Sequence, residues 1–211
     1  MISKAKAIVI KSFSYSESSL ISRLLLDNGS KLSLMIKGAK SLKENKGALF
    51  QSMNLIGIDY YYKNNREIQL FKEGYLITDF PAVKKNYQSM IYGLCIIDIM
   101  DKTLPKDYQD IKMFNMTEYS LSMINSKYDY KIVFIFFLLS FSHYNGYGLA
   151  DLDFNDLRSD KALELFNNNQ YEELLKYMNG LDLDSIIRKT ISFIQSYVPE
   201  IKNVKSLRFI N

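Results

Sequence analysis

Along residues 1 to 80 apolar and polar positions alternate with a period of two, the pattern of strands that turn one face to a core. Lys4–Phe13 and Leu20–Leu26 read as the first two strands. Asp27-Asn28-Gly29 follows as a tight turn whose residues tolerate positive φ, and Lys31–Lys37 returns as the third strand. In that strand Leu32, Leu34 and Ile36 point one way, while Lys31, Ser33, Met35 and Lys37 point the other. Asn54–Tyr62 and a segment from Glu67 to about Thr78, joined by Lys63-Asn64-Asn65-Arg66, supply the fourth and fifth.

After Asp79-Phe80-Pro81 the spacing becomes helical. Met90, Leu94, Ile97, Met100 and Leu104 stripe one face and stop at Pro105. Further helices are predicted over Met113–Asn125, Tyr130–Tyr144, Ser159–Phe166, Tyr171–Met178 and about Asp184–Tyr197, the second of these ended by Asn145-Gly146-Tyr147-Gly148. The expectation is an α+β chain: residues 1–80 form a five-stranded OB-type β-barrel, packed on a C-terminal α-helical bundle over 81–211. No flexible linker separates the two parts, so they should pack together.

Charge sharpens this picture. Residues 1 to 80 hold 12 Lys or Arg and 7 Asp or Glu, while the remainder is almost balanced, so the excess of +4 belongs to the N-terminal part. Four lysines, Lys37, Lys40, Lys43 and Lys46, fall within ten residues bounded by Gly38 and Gly47, between two strands. Ammonium groups concentrated on a loop neutralise phosphates without reading bases, which gives affinity and salt dependence instead of sequence preference. Lys31 shares a strand face with Lys37, and Arg23 joins them if the strand register turns it outward.

Other chemistry is sparse. The single cysteine, Cys95, excludes an intrachain disulfide, and with His143 as the only histidine a zinc ribbon lacks its ligands. Cys95 lies on the apolar helix stripe and His143 ends an apolar helix, so both read as packing residues. The longest apolar run, Ile132 to Leu139, falls short of the roughly 20 residues that span a bilayer, and the start of the chain lacks the continuous apolar stretch of a secretory signal. A reducing cytoplasm is the expected compartment. Asp151, Asp153, Asn155, Asp156 and Asp160 begin like an EF-hand loop. Asp156 stands where glycine is needed and Ala162 where glutamate is needed, so this reads as a polar loop before a helix, with Ser159 as N-cap. Of Tyr60, Tyr61 and Tyr62, alternation lets only some face outward, and packing is the favoured reading over base stacking. No phosphate-binding glycine loop or nucleophile elbow occurs, which leaves enzyme activity without a mechanism.

Several short motifs, in order, resemble one family. AKAIVIKSFSYSESSLISRLLLDNGSKLSLMIKGAK at the start, with Tyr15, Ser16, Glu17 and Ser18, is followed by GALFQ, by the Asn145–Gly148 turn after the apolar helix, and by Arg188 through VKSLRFIN at the end. Together they are similar to the RecO family of bacterial recombination mediator proteins. The resemblance implies an accessory factor in DNA repair and recombination, associated with the nucleoid and not an enzyme. It implies binding of single- and double-stranded DNA, annealing of complementary strands, contact with the acidic C-terminal tail of single-stranded DNA-binding protein, and action with RecR to help RecA load. The family's basic loop falls on Lys37, Lys40, Lys43 and Lys46.

Two departures qualify the resemblance. Many relatives carry a four-cysteine zinc module after the glycine-tyrosine turn, where this chain has no cysteine, so no metal and no cofactor is expected. An acidic and a basic residue of the family's apolar helix are replaced by Leu138 and Ser140. Lys131, Arg158, Arg188 and Lys189 remain as rim residues for a tail pocket. The alternative reading is a protein-interaction adaptor that keeps the fold without direct DNA binding.

Overall fold

The computed structural model describes residues 1–40, 46–105, 108–147, 159–168 and 170–210. Strands β1 (Ile2–Ser14), β2 (Leu20–Leu26), β3 (Lys31–Ile36), β4 (Leu55–Tyr61) and β5 (Ile68–Thr78) close in the order β1-β2-β3-β5-β4, with β1 pairing antiparallel to both β2 and β4 and β3 parallel to β5. This is the expected OB-type arrangement. Ala7, Val9, Leu24, Leu34, Ile36, Ile56 and Ile58 alternate inward and fill the barrel.

The outward positions of the same strands serve a second purpose. Ile8, Ile10, Leu25 and Leu55 belong to the core of the helical part, so the wall of the barrel is also one wall of the helical bundle. A register shift between Val9 and Lys11 inserts Ile10 as an extra residue opposite β2, and Ile10 then packs among the helices while Lys11 stands opposite Arg23.

The helices are α1 (Lys46–Leu49), α2 (Pro81–Lys85), α3 (Tyr87–Thr103), α4 (Ile111–Asn125), α5 (Tyr130–Tyr144), α6 (Ser159–Asn167), α7 (Tyr171–Met178) and α8 (Leu183–Tyr197), followed by 3-10 turns at Pro199–Asn203 and Lys205–Phe209. Helix α5 is buried on all sides along most of its length and forms the axis of the bundle. Asp129 caps its start by accepting from the amides of Lys131 and Ile132. At its end Gly146 takes φ 76°, Gly146 N–H donates to the His143 carbonyl and Tyr147 N–H to the Ser142 carbonyl, so that a left-handed glycine stops the helix. No described helix is long and apolar enough to cross a membrane.

The β2–β3 turn abuts the start of α4. Gly29 adopts φ 83°, and a Cβ built there would lie 2.0 Å from the Asp110 carbonyl oxygen. Gly29→Ala is therefore expected to lower the unfolding free energy by more than about 1 kcal/mol, from both the left-handed backbone and the clash. Urea unfolding checks this, and an unchanged midpoint would mean that the turn and Asp110 separate freely.

Candidate functional site

The loop after β3 is built into the barrel at several points. Gly38 turns the chain at φ 68°, and Ala39 is buried against the barrel interior. The Lys40 amide donates to the Ser18 carbonyl at 3.2 Å, its Nζ donates to the Ser16 carbonyl at 2.7 Å, and the Gly47 amide donates back to the Ala39 carbonyl at 3.0 Å. The loop thus rests on the Tyr15–Ser18 turn. Lys37 and Lys40 are exposed and, among the described residues, meet no carboxylate. Lys46 opens α1 and is half-buried, while Lys43 lies outside the described residues. Buried Asn54 fixes the far end, donating from Nδ2 to the Ala48 and Leu49 carbonyls at 3.1 and 2.9 Å and accepting from Lys84 Nζ.

Lys31 and Arg23 occupy the outward face, but not beside Lys37. They converge with Lys11 and Lys102 on Asp101, in the last turn of α3. Lys11 Nζ lies 2.6 Å from Asp101 Oδ2, Lys102 Nζ 3.3 Å from the same oxygen, and Arg23 Nη1 3.0 Å from Oδ1. Lys31 Nζ donates to the Asp101 backbone carbonyl at 2.8 Å, which satisfies a helix-end acceptor that α3 leaves open. Burial by itself would raise the Asp101 carboxyl; the hydrogen bonds and charges of Lys11 and Arg23 outweigh it and hold the group at about 2. Desolvation lowers the Lys31 ammonium against the attraction of Asp101, and the other three cations push it the same way. A second tie joins barrel to bundle at Lys6, whose Nζ lies 2.7 Å from Glu118 Oε1 and over the Phe114 ring.

On the helical side, Lys131 Nζ is paired with Asp184 Oδ2 at 2.6 Å and lines a cavity of about 430 Å³ with Tyr87, Tyr92, Tyr130, Arg208 and Phe209. Arg188 and Lys189 are exposed on α8 and do not line that cavity, and Arg158 lies outside the described residues with the Asp151–Asp156 loop. Leu138 is fully buried, whereas Ser140 lines a separate cavity of about 570 Å³ with Lys112, Phe137 and Phe166. Cys95 is buried and its thiol is pushed up to about 12 by desolvation, so it is inert packing. His143 departs from the packing expected of it. It is exposed, with its ring beside that of Tyr144, because the apolar wall of α5 gives out just before the glycine stop. Tyr60 is buried in the barrel, whereas Tyr61 and Tyr62 are exposed.

Comparison with known proteins finds similarity chiefly in the N-terminal part of the chain. The family model described as "Recombination protein O N terminal" matches residues 1–80, which contain all five strands and the lysine loop. Over 140 residues the chain is 27% identical to the DNA repair protein RecO of Chlorobium limicola, an alignment covering 66% of this chain and 54% of that protein. Residues 1–80 thus match a RecO model, and the chain is similar to RecO proteins beyond them. The RecO of Salinibacter ruber is 27% identical over 124 residues, covering 59% of this chain and 48% of that one. Against the RecO of Christiangramia forsetii a 23% identical alignment extends over 88% of this chain and 82% of that protein. The chain spans about half the length of the first two relatives in these matches.

Sequence reasoning missed Asp101, Lys11, Lys102, Asn54 and Arg208. Asp101 did carry a signal. It sits four residues after Ile97 and three before Leu104, on the apolar stripe of α3, where a lone carboxylate has to be paired.

Proposed function

We propose that this chain acts in DNA repair and recombination by binding DNA, annealing complementary strands and assisting recombinase loading, with single-stranded DNA-binding protein and RecR as partners. The observation that carries this reading is the loop: Lys40 is bonded to the Ser16 and Ser18 carbonyls, Lys37 precedes the Gly38 turn, and both are exposed with no carboxylate against them among the described residues. Cations placed there lower the repulsion between two phosphodiester chains, and the pairing energy then comes from the bases.

Lys37→Glu combined with Lys40→Glu is expected to weaken binding of a short single strand. The slope of log affinity against log salt should flatten by at least about 1.4, roughly 0.7 for each phosphate that is no longer neutralised. Annealing of two complementary oligonucleotides, followed with and without single-stranded DNA-binding protein, should slow in parallel. An unchanged affinity and slope would remove the loop from DNA binding. The adaptor reading predicts weak and salt-insensitive association of the unmodified protein in the same titration.

For the acidic partner tail, the cavity bearing Lys131 has the required chemistry, apolar rings beside cationic groups, and Arg208 supplies a second cation on its lining. Lys131→Ala with Arg208→Ala should abolish binding of an acidic C-terminal peptide. Retention of wild-type affinity would place the tail elsewhere, with the exposed Arg188 and Lys189 the next positions to vary.

A further inference from the structure

Four cations meet at Asp101 at the junction of barrel and bundle, three on its carboxylate and Lys31 on its backbone carbonyl. Asp101 contributes one negative charge and the C-terminus of α3 about half of another, so Lys11, Arg23, Lys31 and Lys102 leave a surplus of roughly two and a half positive charges. A staple between barrel and helix needs much less. Lys11 and Arg23 satisfy both Asp101 oxygens from the barrel, and Lys31 caps the helix end. Lys102 adds nothing to that staple, because it belongs to α3 itself and sits one residue beyond Asp101. Its ammonium is nevertheless drawn into the same cluster against the repulsion of the other three. The group is also accessible: the side chains of Lys11 and Arg23 are 38% and 43% exposed.

We propose that Lys11, Arg23, Lys31 and Lys102, gathered by Asp101 as their positioning residue, form a second phosphate grip for a nucleic-acid backbone at the junction of barrel and helices. The proposal rests on the DNA-binding reading above and adds a site to it. Lys31 opens β3 and Lys37 follows its end, which sets the two grips about 20 Å apart at the rise of an extended strand. Phe13 lies between them on the outer face, paired with Ile21 and 45% exposed, and Met35 pairs with Ile21 from the other side. A single strand held at both ends therefore crosses an exposed ring on which a base stacks. Asp101 keeps the four cations converged when no DNA is bound, so less side-chain freedom is lost on binding.

Lys102→Gln isolates the binding role, since it leaves every bond between barrel and helix in place. In the full chain, binding of a fluorescent single-stranded oligonucleotide measured over a range of salt should weaken about fivefold at 0.1 M, with the salt slope flatter by about 0.7. The thermal midpoint should not move, and Lys102→Arg should restore both readings. Lys11→Gln should flatten the slope by the same amount while also lowering the midpoint. If Lys102→Gln and Lys11→Gln both keep the wild-type slope while the Lys37→Glu, Lys40→Glu variant flattens it, the junction is a structural staple only and DNA binding belongs to the loop. If the unmodified protein binds no oligonucleotide at low salt, both sites fall together.

Discussion

Phe134→Ala is expected to lower the unfolding free energy by about 3–5 kcal/mol, the usual cost of deleting a fully buried aromatic ring, against a total of roughly 5–15 kcal/mol for a folded domain. Phe134 has no exposed surface; its ring lies nearly parallel to Phe137 and edge-on to Tyr92, so its removal opens a cavity between α5 and α3. The effect should not stay within the helices. Ile8, Ile10, Leu25 and Leu55 of the barrel wall share that core, so loosening α5 also removes support from β1, β2 and β4. Hydrogen exchange should therefore show the amides of Leu24 and Ile56, inside the barrel, losing protection together with those of α5. Protection kept at those two positions while α5 opens would mean that barrel and bundle unfold separately. Phe209→Ala, at an exposed ring in the last 3-10 turn, is the matched control and should cost little.

The elements that alternation and helical spacing announce are the ones that carry a repeated burial pattern. Leu34 and Ile36 fix the inner face of β3, and Ile187, Ile191 and Ile194 line the packed side of α8. Helix α5 was legible for a different reason. It is apolar all round, and its end came from the Asn145-Gly146 stop after Tyr144. Pro81–Lys85 and the two terminal 3-10 turns escaped notice because five residues are too few to show a period. The site divides along the same line. Alternation gives the outward direction of Lys31 and, through its register with Ser33, of Arg23, but it cannot say what lies against that face. The answer comes from α3, about 70 residues further along the chain, and its carboxylate draws these cations away from the loop lysines toward the opposite end of β3.

Asp101→Ala is expected to cost about 3 kcal/mol. Breaking a buried ion pair by deleting one partner typically costs 3–5 kcal/mol, because the remaining charge is left without compensation in a dry site. The low end applies here, since Lys11 and Arg23 are partly exposed and water can take over some of their solvation. The acid behaviour follows from the same group. Its carboxyl is held at about 2 against an ordinary value of 3.8, so in the folded state it binds its proton less readily than in the unfolded chain. The stabilisation from this carboxylate is therefore complete above about pH 4 and is lost as pH falls from 4 toward 2, amounting to about 2 kcal/mol. Urea unfolding at pH 7 and at pH 2.5 should show the gap between wild type and Asp101→Asn shrinking at the acid end. A gap that stays constant across that interval would show that the ionised carboxylate does not hold Lys11 and Arg23 to α3, and the second phosphate grip would lose the residue that assembles it.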